Sequence, residues 1–201
     1  IWQKSVILFL SIQMEIGCVD KSSKLIPTIY SAKKLVEKKE IKLCLDNTNN
    51  LYSINHNLNE IKKFKSIFKT FFSFSPPNIS YFEKNEKALV FWVRTYSYFV
   101  LGKIDKKIIS EKFENISSIT DQTGGWICFN LSGKKVKLLL EKLITTDLFT
   151  FESNQVLRTS INKINCFVLC HKRFENYTII CPTSFMESMK GRLLNLINLV
   201  A

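Results

Sequence analysis

The residues best suited to hold a ligand form the segment 121–125, Asp-Gln-Thr-Gly-Gly, which precedes an apolar run. Two adjacent glycines allow the backbone to approach a bound group closely, so this segment could cradle a ligand. The simpler interpretation is a tight turn before a strand, in which the Asp121 carboxylate accepts hydrogen bonds from nearby backbone N–H groups. We favour the turn.

A second candidate for ligand binding is formed by Ser132 and Gly133, which two lysines follow. A helix that begins here would present free N–H groups to an anion. However, the GxxxxGK[ST] spacing of a phosphate-binding loop is absent. We therefore interpret Ser132 as a helix cap and the two lysines as part of a solvated surface.

Metal ligation and nucleophilic catalysis have little support in the sequence. In a strand, Cys166 and Cys170 would share a face but lie about 13 Å apart, too far to bind one ion, and His171 would point to the opposite face. His56 is the only other histidine, and neither histidine stands in a nucleophile motif. No GxGxxG sequence follows a strand. We expect no catalytic residue, and no metal or cofactor bound by this chain.

Arg158 and Thr159 form the polar pair of greatest interest, near the start of a predicted strand. A buried arginine requires a carboxylate or carbonyl partner. Asp121 and Asp147 are candidates within the chain, and a partner subunit is another. A structural role is favoured over contact with a substrate.

The elements that must position these residues follow from hydrophobic periodicity. Asp105 is a predicted cap, and Asn57 with Glu60 and Ser184 with Glu187 are predicted capping boxes. Strands are predicted over 41–46, 88–93, 96–101, 126–131, 155–160, 164–171 and 177–181, with helices from Asn57 to the segment 75–78, over 106–113, from Ser132 to near Asp147, and from Ser184 onwards.

This order of elements predicts an α+β fold with a mixed, largely antiparallel sheet or sheets and packed helices, of ferredoxin-like character. We expect a single domain over 21–201. Residues 1–20 form an extension without an interpretation, and their apolar run is too short to cross a bilayer.

Composition is that of an ordinary globular protein, with 46% hydrophobic and 23% charged residues among 201. The net charge is +12, but lysines are spread along the chain and arginine is scarce. An acidic partner subunit explains this charge at least as well as nucleic-acid binding does, and we expect contact with neither nucleic acid nor a membrane. The six cysteines form no CxxC pair, which favours free thiols in a reducing, cytoplasmic compartment.

The order and spacing of these motifs resemble those of the gamma subunit of heterotetrameric sarcosine oxidase, a relative of the folate-binding domain of aminomethyltransferases. The similarity is most specific from Ser97 to the C-terminus. Its residues are Asp121, Gly124, Gly125, Ser132, Gly133, Asp147, Arg158, Thr159, Pro182, Ser184 and Phe185.

The resemblance implies a small structural subunit in a complex that oxidatively demethylates sarcosine to glycine, with tetrahydrofolate as the one-carbon acceptor. It implies that FAD, FMN, NAD, zinc and tetrahydrofolate are bound by the alpha, beta and delta partner subunits. It also implies that this chain contacts chiefly alpha, and that the motif residues are structural. The alternative is a stand-alone folate-binding or aminomethyl-transfer protein, which would use a carboxylate such as Asp121 or Asp147 to hold the pterin.

Overall fold

A computed structural model describes residues 33–38, 40–46 and 49–200. Within these ranges the chain forms eleven β-strands and four α-helices, and every pair of neighbouring strands is antiparallel. This confirms the predicted α+β class. The extension assigned to residues 1–20 and the expected start of the domain at residue 21 lie outside the described residues.

One half of the molecule is a five-stranded sheet covered by two helices. Its spatial order is β4-β5-β6-β3-β7. The elements are β3 (Asn50–His56), α1 (Ile61–Phe72), β4 (Phe82–Lys84), β5 (Ala88–Arg94), β6 (Ser97–Gly102), α2 (Lys106–Lys112) and β7 (Ser117–Asp121). With β4 set aside, the succession β3-α1-β5-β6-α2-β7 has the ferredoxin-like arrangement that was predicted.

The phenylalanines at every fourth position hold α1 against this sheet. Phe64, Phe68 and Phe72 are buried, whereas the lysines of the helix are exposed. The helix ends at Ser73, which adopts a left-handed conformation and donates its N–H to the Lys69 carbonyl at 2.9 Å. The Asp105 carboxylate caps α2, as predicted, by accepting from the Lys107 N–H at 2.7 Å.

The other half is a six-stranded sheet in the order β1-β2-β8-β11-β10-β9. Its elements are β1 (Lys33–Lys38), β2 (Ile41–Asp46), β8 (Trp126–Ser132), α3 (Val136–Glu141), β9 (Val156–Ile161), β10 (Ile164–Lys172), β11 (Asn176–Pro182) and α4 (Met186–Val200). Buried residues of α3 and α4 pack on this sheet in the larger of the apolar clusters. Because β9, β10 and β11 are consecutive neighbours, this half is a meander and departs from the ferredoxin-like order.

The two sheets face each other across a third apolar cluster, so helices form the outer layers and sheets the inner ones. Phe91 of one sheet and Phe167 of the other have ring centroids 5.3 Å apart. At one edge, backbone hydrogen bonds join the sheets, from Phe82 N–H to the Asn154 carbonyl at 2.9 Å and from Val156 N–H to the Ser80 carbonyl at 2.8 Å.

Three predicted helix caps are wrong. The backbone of Ser132 is held in β8 by pairing with β2 and β11, and α3 begins only at Val136 and ends at Glu141, before Asp147. Ser184 lies in a short 3₁₀ helix, and the Glu187 carboxylate pairs instead with Lys190 at 3.2 Å. The side chain of Asn57 makes no capping hydrogen bond.

The cysteines in the described part of the chain divide into two groups. Cys128, Cys166, Cys170 and Cys181 are free and buried, where they act as small apolar side chains. Cys44 is disulfide-bonded, so the expectation of free thiols is wrong for this residue. In the described part of the chain, no helix is both long and apolar enough to span a bilayer.

Candidate functional site

The segment 121–125 forms the passage of the chain from one sheet to the other. Asp121 ends β7 in the five-stranded sheet, and Trp126 begins β8 in the six-stranded sheet. The Asp121 carboxylate accepts from the Thr123 N–H at 2.9 Å, and Gly125 N–H donates to the Gln122 carbonyl at 2.9 Å. These bonds confirm the tight turn. The hydrogen bonds from Thr123 also lower the pKa of Asp121 below its usual value.

This turn is bonded to Leu51, near the start of β3. Leu51 N–H donates to the Thr123 hydroxyl at 3.0 Å, and Gln122 N–H donates to the Leu51 carbonyl at 2.8 Å. Gly124 has φ +80°, and a Cβ atom there would meet nothing within 4 Å. The glycine is therefore required for backbone conformation, and no neighbouring group presses against it.

The segment 182–185 joins the same turn. Pro182 pairs with Trp126 in the sheet register, and Thr183 N–H donates to the Gly125 carbonyl at 3.0 Å. The structure thus brings together two motif segments that are separated by more than fifty residues. Ser184 and Phe185 project outward, and Phe185 is 45% exposed.

Gly133 follows the opposite end of β8, where its backbone comes close to the backbone of Glu40 and of Glu175. Its N–H donates to the Glu175 carbonyl at 2.9 Å, and its φ is +128°. A Cβ atom would lie 1.9 Å from the Glu40 carbonyl oxygen. Glycine is required here by both conformation and space, which gives the motif a structural cause.

The remaining motif residues lie apart from this junction. Asp147 is exposed, and its carboxylate accepts from the Phe149 N–H at 2.9 Å. Arg158 is exposed on β9, the edge strand, and the Thr159 carbonyl accepts from the Cys166 thiol at 3.6 Å. Over residues 49–200, no ion pair joins Arg158 to Asp121 or Asp147, so neither of the two candidate pairings within the chain is formed.

A hydrogen-bonded chain of side chains on the inner face of the six-stranded sheet was missed by sequence reasoning. His171 Nε2 lies 2.8 Å from the Thr178 hydroxyl, which donates to Asn130 Oδ1 at 2.7 Å. Because the Thr178 proton is used on Asn130, its oxygen accepts the proton of His171 Nε2–H. The three residues come from three strands, so no local pattern connects them. Only the alternation that sets His171 opposite Cys170 was visible in the sequence.

Burial determines the protonation state of His171. Desolvation, with a smaller contribution from the Lys84 charge, lowers the pKa of His171 to about 3. The ring is therefore neutral near pH 7, and the edge of Phe82 packs against it with centroids 5.0 Å apart. A neutral imidazole of fixed tautomer suits a structural link between strands better than proton transfer.

The thiols are also poorly suited to chemistry. Burial raises the pKa of Cys166 to about 11 and that of Cys181 to about 12, so both remain protonated near pH 7. Among the residues that the structure describes, no three histidine, cysteine or acidic side chains are grouped so as to hold a metal ion.

Two of the concave regions on the described surface bear on ligand binding. A cleft of about 890 Å³ separates α1 from α2. It is lined by Ile67, Thr70, Phe71, Phe72, Glu86, Lys87, Lys103, Ile104, Asp105, Ile108 and Lys112. A shallower depression of about 520 Å³ lies along residues 141–149 and includes Asp147. Sequence reasoning did not identify the cleft, because its walls come from four separate segments.

No protein-family model and no curated protein matches the sequence. Among solved structures, heterotetrameric sarcosine oxidase from Corynebacterium sp. U-96 in complex with pyrrole 2-carboxylate aligns with a TM-score of 0.70 and 13% identity, over 83% of this chain and 88% of that chain. Aminomethyltransferase T of the glycine cleavage system from Bartonella henselae aligns with a TM-score of 0.53 and 10% identity, over 74% of this chain and 44% of that chain. These similarities show a shared fold.

Proposed function

We propose that this chain is a small, non-catalytic structural subunit of a heterotetrameric sarcosine oxidase. The observation that carries the proposal is the alignment with a chain of such an enzyme over 83% of this chain and 88% of that one. Correspondence over nearly the whole length of both chains is what a subunit would give. By contrast, the aminomethyltransferase is covered over less than half its length.

The structural roles of the motif residues support an assembly subunit. Residues 121–125 and 182–183 hold the junction between the two sheets, and Gly133 permits a close backbone approach. None of these contacts requires a bound cofactor. In the proposed complex, the alpha, beta and delta subunits bind FAD, FMN, NAD, zinc and tetrahydrofolate, alpha is the main partner, and the assembly demethylates sarcosine in the cytoplasm.

A stand-alone folate-binding protein is the second candidate, because the aminomethyltransferase shares the fold. It would require a carboxylate within a cleft that receives the pterin. Asp121 and Asp147 are both exposed, and each already accepts a hydrogen bond from a backbone N–H two residues further along the chain. This geometry favours the subunit over the folate binder.

Co-expression with candidate alpha, beta and delta subunits, followed by size-exclusion chromatography, tests the proposal. We expect this chain to co-elute in a yellow, flavin-containing complex that oxidises sarcosine. A colourless monomer that ignores these partners would contradict the proposal, and a tetrahydrofolate titration of that monomer would then test the second candidate.

The exposed motif residue Phe185 sharpens this experiment. It contributes little to the core because nearly half its surface is exposed. Phe185→Ser should therefore weaken co-elution while the isolated chain keeps its stability. Leu138→Ser, a comparable change on the exposed face of α3, should alter neither co-elution nor stability.

A further inference from the structure

The cleft between α1 and α2 has the dimensions of a small-molecule site. Its volume of about 890 Å³ lies within the range of roughly 300 to 1,000 Å³ that such sites occupy. One wall is the C-terminal part of α1 and the other is α2. The turn before β5 and the loop between β6 and α2 close its ends.

The floor of the cleft is apolar and partly open to solvent. Phe72 is buried, Ile67, Phe71 and Ile104 are half-buried, and Ile108 is 51% exposed. Phe71 packs edge-on against Phe72, with ring centroids 4.8 Å apart. An apolar ligand body would remove this surface from water, which is the main favourable term in such binding.

The rim of the cleft is cationic. Lys87, Lys103 and Lys112 are exposed, and none forms an ion pair with another described residue. Two carboxylates, Glu86 and Asp105, also line the cleft, so its three lysines exceed its acidic side chains by one.

The surrounding helices add to this positive potential. α1 carries four lysines and no acidic residue, and α2 carries three lysines and one glutamate. A cleft set within charge of one sign concentrates ligands of the opposite sign.

We propose that this cleft binds a small amphiphilic anion, with an apolar chain or ring on the floor and a carboxylate, sulfonate or phosphate at the lysine rim. The site lies outside the junction formed by residues 121–125 and 182–183. The proposal therefore rests on the lining of the cleft alone and does not depend on the proposed assembly. A fatty acid and an aryl carboxylate share this chemistry, so the two are distinguished by experiment.

Titration of the full chain with 1-anilinonaphthalene-8-sulfonate, followed by its fluorescence, tests the site. We expect saturable binding of one probe per chain. Displacement by dodecanoate identifies a chain-shaped ligand, and displacement by 1-naphthoate alone identifies a ring-shaped one. An absence of saturable binding would overturn the proposal.

Matched variants locate the binding. Ile108→Glu places a negative charge in the cleft and should weaken binding of the probe about tenfold, or roughly 1.4 kcal/mol. Lys103→Gln removes one positive charge and should weaken binding about threefold, or roughly 0.7 kcal/mol. Lys62→Gln on α1 and Leu138→Glu on α3 lie outside the cleft and should leave affinity unchanged. Circular dichroism of each variant verifies that it is folded.

Two outcomes would contradict the location or the ligand class. Equal weakening by Lys62→Gln and Lys103→Gln would indicate attraction by net charge alone. Displacement of the probe by a twenty-nucleotide oligothymidylate, together with unchanged affinity in Ile108→Glu, would indicate a polyanion surface in place of an amphiphile site.

Discussion

The two halves of the molecule share a plan, a sheet covered by two helices, but differ in the charge of the outer layer. α3 and α4 together carry three cationic and two acidic side chains, including the pairs Lys137–Glu141 at 3.5 Å and Lys190–Glu187 at 3.2 Å. α1 and α2 carry seven lysines and one glutamate around an open cleft.

Like charges three or four residues apart destabilise a helix, so the charge on α1 does not serve folding. The helix layer over the six-stranded sheet therefore has nearly balanced charge, whereas the layer over the five-stranded sheet carries an excess of positive charge that folding does not require. Substitutions in each half test this difference.

The largest effect is expected at the close backbone approaches, one in each half. Gly133→Ala would place Cβ 1.9 Å from the Glu40 carbonyl oxygen at φ +128°, and Gly102→Ala would place it 2.4 Å from the Lys87 carbonyl oxygen. Because backbone atoms must move, we expect losses in the free energy of unfolding above about 4 kcal/mol for Gly133→Ala and somewhat less for Gly102→Ala. Urea unfolding measures both.

Gly191→Ala is the matched control, since Gly191 lies within α4 and a Cβ there meets nothing within 4 Å. It should stabilise the protein by up to about 1 kcal/mol. A Gly133→Ala protein as stable as the parent would refute the close approach.

The next largest effect concerns the two outer cores. Phe68 of α1 is fully buried and touches the rings of Phe64, Phe72 and Phe113, and Met189 of α4 is fully buried against the six-stranded sheet. Phe68→Ala and Met189→Ala should each lower the free energy of unfolding by about 3 kcal/mol, because apolar surface is no longer buried and a cavity remains. Hydrogen exchange should show whether each loss extends to both halves, as the shared inter-sheet cluster predicts.

A loss of protection confined to the substituted half would instead show that the halves unfold separately. The division of roles between the outer layers would then extend to stability itself. Ile67→Ala, which removes a half-buried side chain of the same helix, should have a smaller effect than Phe68→Ala and serves as the control.

Much of this fold was predictable from local patterns, because within each of these elements the buried positions follow the spacing typical of a helix or of a strand. α1 shows a phenylalanine at every fourth position, and β10 and β11 are continuous apolar runs joined by a short turn. Asp105 was recognised as a cap because it stands directly before an apolar-periodic segment.

Two of the missed strands, β3 and β7, lack such patterns. β3, Asn50–His56, contains asparagine, serine and histidine, yet most of its residues are buried because it is a central strand covered on both faces. β7, Ser117–Asp121, is polar because it is an edge strand. Ser132 had the sequence of a cap, but pairing with two neighbouring strands overrode that local preference.

The candidate site was less predictable than the fold. The turn at 121–125 was identified from its own residues, but its bonds to Leu51 and Thr183 depend on the tertiary arrangement. For the same reason, the cleft and the His171–Thr178–Asn130 chain were not visible, since each combines residues from separate elements.

A smaller effect is expected from pH, and it is confined to the six-stranded half. The pKa of His171 is lowered by burial to about 3, from about 6.5 in an unfolded chain. Between these values the unfolded chain binds the proton and the folded chain does not, so stability falls as pH decreases below about 6.5. At pH 5.5 the loss relative to pH 8 should be about 1.4 kcal/mol.

His171→Gln removes the titratable imidazole, and this variant is compared with the parent protein. Urea unfolding of both proteins at pH 8 and pH 5.5 should show a smaller loss in the variant. Identical losses in the two proteins would show that His171 is not kept neutral by the fold, and that other groups cause the dependence.

The smallest effect bears most directly on the contrast between the helix layers. Lys65→Glu in α1 creates a favourable pair with Lys69 four residues on and removes one of four like charges, so it should raise stability by about 0.4 kcal/mol. Lys190→Glu in α4 replaces an ion pair with a repulsion toward Glu187 and should lower stability by a similar amount. The two changes in stability should have opposite signs at low salt and should both diminish in 0.5 M NaCl. That result would show that positive charge in the α1–α2 layer opposes folding. Only then can this charge be assigned to a bound anion. Equal signs would remove the contrast.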